Sequence, residues 1–276
     1  MTKVLTIAGK EIREGLRNRW VLAVTLLLGA LALTLSFLGS APTGSVGASR
    51  LDVMMVSLSS LTIFLVPLIA LLLSHDAIVG EAERGTLLLL LSYPVRRGQI
   101  VLGKFLGHIV ILAIATVVGY GVAGLALALI SGEGLGGALP AFAGMLGASI
   151  MLGAAFLALG YLISALARER GVAAGAAVGA WLLFVLIYDM ALLGVLVVDQ
   201  GRFIGPPVLN ALLLLNPADV YRLLGLTASS EVRTLSGMAG VADAATLGRP
   251  ALLAALAAWI VVPLAMASAV FTRREI

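Results

Sequence analysis

Along the chain, apolar runs long enough to cross a bilayer, nearly free of charge, alternate with short charged or glycine-rich breaks. Six runs qualify, at 20–38, 53–74, 105–130, 139–167, 171–198 and 251–272. A spanning helix needs about 20 largely apolar residues, so each run predicts a transmembrane helix. A further run, Phe203–Leu215, is short, is broken by Pro206 and Pro207, and ends at Asn216-Pro217. It predicts a re-entrant or interfacial piece rather than a crossing. Before the first run, Leu5, Ala8, Ile12 and Leu16 recur every three or four residues, with Lys10, Arg13, Glu14 and Arg17 on the other face. Segment 1–19 therefore predicts a cation-rich amphipathic helix lying in the membrane interface.

Composition closes off the soluble classes. Apolar residues make up 61% of the chain and charged residues 12%, about half the ~25% usual in soluble domains. A soluble globule cannot hide that much apolar side chain, which excludes a soluble enzyme and a nucleic-acid-binding domain. Cysteine is absent, so disulfides, thiolate metal sites and cysteine nucleophiles are excluded. The first run is longer than the ~7–15 apolar residues of a signal peptide. It is expected to stay as a span despite the small-x-small pair Gly39 and Ala41.

The basic residues set an expected orientation. With the N-terminus inside, 13 of the 18 Lys and Arg fall in cytoplasmic segments and five, Arg50, Arg202, Arg222, Arg233 and Arg249, fall outside. That bias predicts both termini in the cytoplasm. The expected organisation is an all-α membrane protein. An interfacial helix at 1–19 leads into a six-span domain at 20–276, with a cytoplasmic segment at 75–104 and an external segment at 199–250. The external apolar patches Val208–Leu215 and Val220–Leu226 are expected to form short helices against the outer leaflet.

Segment 75–104 is the most informative. It carries Glu81-Ala-Glu83-Arg84-Gly85-Thr86-Leu87, a leucine-rich piece, Ser92-Tyr93-Pro94-Val95-Arg96-Arg97, and finally Gly103-Lys104. Thr86 is placed to cap a short helix. The Leu87–Leu91 run is too short to span and must bury against something, a partner protein being the natural choice. The pattern of acids, Gly-Thr-Leu, leucines, Pro, basic residues and Gly-Lys resembles the ABC-2 type (type V exporter-like) transporter permeases. The amphipathic leading helix, the six spans and the dipping external segment fit the same family, so the resemblance covers the whole chain.

Within that family the chain is most similar to the permeases serving nitrous oxide reductase maturation. The resemblance implies a cytoplasmic ABC ATPase subunit carrying ATP and Mg²⁺, a periplasmic accessory subunit, and a role in delivering copper or sulfur species. It further implies an inner-membrane location, a C₂ homodimer, and no cofactor or catalytic residue on this chain. Glu81, Glu83, Arg84, Gly85, Thr86, Pro94, Arg96 and Arg97 are then the expected ATPase-coupling residues.

Gly171, Gly175 and Gly179 form a doubled small-xxx-small repeat, which predicts close helix packing. Gly98 to Lys104 matches P-loop spacing, but Phe105 stands where a hydroxyl is needed for Mg²⁺, so a helix entering the membrane is expected instead. Copper favours thioether and imidazole ligands. Met54 and Met55 are weak metal candidates, and His108 is expected as an interfacial polar tip. Asp189 is a candidate intramembrane acid. As a proton relay it would make the protein a proton-coupled secondary transporter, the main rival to an ABC permease; an ABC-2 exporter of another substrate is a second alternative. No pattern for an intramembrane hydrolase is present.

Overall fold

The computed structural model describes residues 2–38, 50–131, 139–199, 204–226 and 247–274, and every regular element among them is helical. Helix α1 (Thr2–Leu16) leads into α2 (Arg19–Leu38) and α3 (Arg50–Ser74). Two short helices follow, α4 (Val79–Glu83) and α5 (Thr86–Leu91), then α6 (Arg97–Ser131) and α7 (Leu139–Leu166). Helix α8 (Arg170–Leu182) continues through a π-helical turn at Leu183–Ile187 into α9 (Tyr188–Asp199). Helices α10 (Pro206–Leu214) and α11 (Pro217–Leu226) precede the last long helix, α12 (Arg249–Arg273). Residues 200–203 and 227–246 of the external segment, Gly39 and Ala41, and the side chain of Met54 lie outside the described residues.

Helices α3, α6, α7, the joined α8–α9 and α12 are each long and apolar enough to cross a membrane. Helix α2 makes a sixth crossing when taken with α1, from which it bends by 69°. Asn18 explains the bend. Its backbone N–H closes the end of α1 on Gly15, and its side-chain oxygen accepts from Trp20 N at 2.9 Å, capping α2. The chain therefore stops one helix and starts another within three residues.

Helix α6 begins at Arg97, about two turns before the apolar run at 105–130. At 1.5 Å per residue its 35 residues reach about 52 Å, well beyond the ~30 Å hydrocarbon layer. Its first turns thus stand where charges are tolerated.

Helix α7 sits at the centre, with α3 and α12 against it and α6 carrying α1 and α2 on its outer side. Aromatic rings tie the layers, with Phe184 edge-on to both Phe156 and Trp259. The α8–α9 helix is different. Only Ala173, Ala177 and Val185 are buried along it, and α9 buries nothing within the chain.

Candidate functional site

Between α3 and α6 the chain is held in place from below. Helix α4 has no side-chain cap of its own. Ser164 of α7 supplies one, its Oγ accepting from Ile78 N at 2.9 Å and Val79 N at 3.1 Å. Gly85 then reverses the chain with φ of 71°, a left-handed conformation that strains any residue bearing a Cβ. This corrects the expected Thr86 cap. The left-handed glycine makes the turn, and the Thr86 hydroxyl donates back to the Glu81 carbonyl at 3.3 Å.

Beneath α4 lies a buried ion cluster. Lys104 Nζ of α6 contacts Glu11 Oε1 of α1 at 2.8 Å and Glu81 Oε1 of α4 at 2.7 Å. His108, one turn along α6, places Nε2 3.6 Å from Glu11 Oε2 and pairs Nδ1 with the Tyr161 hydroxyl of α7 at 2.9 Å. Burial would push the Glu11 carboxyl up, but the Lys104 ammonium outweighs it and holds it below its ordinary value. The second oxygen of Glu81 is buried with no partner. His108 is thus a buried member of this network, where an interfacial tip was expected.

The cluster exists because α1 lies tight on α6. A Cβ added at Gly103 would meet Ile7 Cβ at 2.8 Å, and one at Gly107 would meet Glu11 Cβ at 2.6 Å. These two glycines, one turn apart, let the helices approach closely enough for Glu11 to reach Lys104. The buried side of α1 is accordingly Ala8 and Glu11, while Leu5 and Leu16 of the expected apolar stripe face outward.

The other expected coupling residues divide between internal and surface roles. Glu83 Oε1 accepts from Arg170 N at 2.7 Å, capping the start of α8, and Asp76 Oδ2 holds the Arg170 guanidinium at 2.8 Å. Arg97 turns inward. Its guanidinium donates to the carbonyls of Phe271 and Thr272 at 3.0 and 3.3 Å, and stacks 5.6 Å from the Phe271 ring centre, closing the end of α12. The Pro94 carbonyl accepts from Lys3 Nζ. Arg84 and Arg96 are exposed as well, beside an apolar set, Leu88, Leu89 and Tyr93, each of these three more than half exposed next to the buried Leu87.

At the opposite end Asp189 is engaged. Arg222 of α11 bridges Asp189 Oδ2 at 2.5 Å and Asp219 Oδ1 at 2.6 Å, while Asn216 binds Asp219 Oδ2 at 3.0 Å. Asn216 Nδ2 also donates to the Phe184 carbonyl, inside the π-helical turn that α8–α9 carries there. Burial pushes the Asp219 carboxyl up to about 7; Arg222 opposes the rise and the neighbouring Asp189 carboxylate adds to it.

Gly171, Gly175 and Gly179 have open space where a Cβ would stand, so no described helix of this chain packs on them. Gly98–Phe105 lies wholly within α6, which leaves no loop to cradle phosphate. Met55 is half-buried on α3, and His75 Nδ1 lies 3.0 Å from the Leu72 carbonyl. Sequence reasoning missed Glu11 and the Gly103–Gly107 groove. The signal was an acid, Glu11, set between the apolar positions Ala8 and Ile12, and a pair of glycines one turn apart in α6.

Residues 5–276 match the model of a family described as ABC-2 family transporter protein. A relative from Pseudomonas aeruginosa, named a probable ABC transporter permease protein NosY, is 49% identical over 277 residues, covering 100% of each chain. One of the same name from Stutzerimonas stutzeri is 47% identical over 275 residues, covering 99% of each.

Proposed function

This chain belongs to the ABC-2 family of transporter permeases, and from that premise we propose that it is the membrane subunit of an ATP-driven transporter serving nitrous oxide reductase maturation. The observation that carries the coupling reading is the α5 surface. Leu88 and Leu89 of α5 and Tyr93 just beyond it are exposed, and the helix that leads into them, α4, is fastened to α7 by Ser164, to α6 by Lys104 and to α8 by Glu83. A partner seated on α5 would push on three spans at once. That partner is a separate ABC ATPase, which binds ATP and Mg²⁺ and performs the hydrolysis; this chain holds no cofactor.

In this reading the α4–α5 end and both termini face the cytoplasm across the inner membrane, as the placement of the basic residues favours. The α10–α11 end faces the periplasm and meets an accessory subunit. The unpacked Gly171–Gly175–Gly179 face of α8 receives a second copy of the chain, giving a C₂ dimer. Copper or sulfur species destined for the reductase are the cargo, or the chain passes ATP-driven motion to the periplasmic partner that handles them.

Deletion of the gene in its host tests the assignment. The expected result is nitrous oxide reductase that is made but lacks copper at its centres, restored by the intact chain and not by a Leu89→Glu variant. A fully copper-loaded reductase in the deletion strain would overturn the maturation role.

A further inference from the structure

We propose that Lys104 is an ionic joint, a positioning residue that makes α1 and α4 move together with α6. The inference rests on the ATPase-coupling reading and adds the internal route by which a push on α5 travels. One ammonium, almost closed to solvent, is shared by carboxylates from two elements that do not otherwise meet through side-chain ion pairs among the described residues.

Each contact has a separate structural cause. Glu11 reaches Lys104 because Gly107 lets the α1 backbone close on α6. Glu81 reaches it because the Ser164 hydroxyl fixes the first turn of α4. The two carboxylates are not held equally. Glu11 faces both Lys104 and His108, whereas Glu81 keeps one buried oxygen without a partner. The Glu81 side is therefore the weaker link, and it is the side on the segment that the ATPase would move.

An ammonium held between two carboxylates in low dielectric resists separation from either, because parting leaves an uncompensated buried charge. Displacement of α4 by a partner on α5 therefore draws Lys104, and with it the first turns of α6. Helix α1 follows, held through Glu11 and by its glycine groove. The Tyr161–His108 hydrogen bond extends the joint to α7.

Hydrogen–deuterium exchange with mass spectrometry, run on the chain purified from membranes with its bound ATPase, with and without MgATP, reads this route directly. Glu81→Gln and Glu11→Gln each leave Lys104 one carboxylate, so the fold is retained in both. In the unsubstituted complex MgATP is expected to change exchange in α4–α5, α1 and the start of α6. In Glu81→Gln the α4–α5 change persists, while the change in α1 and the first turns of α6 falls at least fivefold. In Glu11→Gln only the α1 change is weakened, because the glycine groove still holds α1 on α6. A Lys104→Arg variant keeps all three responses and Lys104→Met keeps only that of α4–α5. An α1 response in Glu81→Gln equal to the unsubstituted one would overturn the joint while leaving ATPase coupling intact. An unsubstituted chain that brings no ATPase, or shows no response in α4–α5, would overturn the coupling reading itself and the joint with it.

Discussion

Lys104 holds its charge at a position almost closed to water, and its stability there depends on Glu11 and Glu81. Removing one partner of a buried ion pair costs about 3–5 kcal/mol, since the charge left behind has no compensation. Lys104→Met strands two carboxylates and is expected to destabilise the purified chain by about that amount in denaturant unfolding. Glu81→Gln is expected to cost much less, because Glu11 still faces the ammonium. The Glu11 carboxyl is held below its ordinary value of 4.5, so its contribution is present above that pH. It is lost as the pH falls through the depressed folded value. Amide exchange in α1 is therefore expected to rise on acidification below about 4.5, and Glu11→Gln should weaken that dependence.

At the scale of elements, two glycine pairs with the same spacing behave oppositely. Gly107→Ala forces α1 off α6, because a Cβ there meets the Ala8 carbonyl at 3.1 Å as well as Glu11. A lowered melting temperature and greater exposure of α1 are expected. Gly175→Ala meets nothing within the chain and, alanine being the better helix former, is expected not to lower the melting temperature. The clasp at the other end has its own pH dependence. The Asp219 carboxyl is raised from 3.8 to about 7, so the fold favours its protonated form and loses stability as pH rises between those values. The chain should be more stable at pH 6 than at pH 8 by about 1 kcal/mol, with Asp219→Asn abolishing the difference.

These elements also show what was legible in the sequence. The long apolar runs gave the helices, because in a bilayer hydropathy and secondary structure are nearly one signal. The side of α1 that packs was not legible, since the two glycines of α6 choose it and they lie about 90 residues away. In the sequence Glu83 and Arg97 group with a docking surface, because they sit in the family pattern. Only the fold shows them closing the ends of α8 and α12. Asp189 read as a lone acid because Arg222, its counter-ion, stands on a helix outside the spans.

For the whole molecule, the arrangement is a permease chain whose two ends are fastened differently. One end ties α4–α5 to α6, α7 and α8 by ion pairs and caps; the other ties α11 to the π-helical turn of α8–α9. The α8–α9 helix thus touches both fastenings while leaving most of its surface outside the chain. A second copy seated there would place the two halves on a common axis. If the proposed dimer forms through this face, Gly171→Leu with Gly175→Leu is expected to convert it to monomer in detergent, read by mass photometry, with the helical content unchanged. The central claim, that this chain works as the membrane subunit of an ATPase-driven transporter, is tested most directly by purifying it from native membranes in mild detergent and identifying what stays bound by mass spectrometry. A P-loop ATPase at one copy per chain, lost on Leu88→Glu with Leu89→Glu, is the predicted result. An intact chain that carries no ATPase would contradict it.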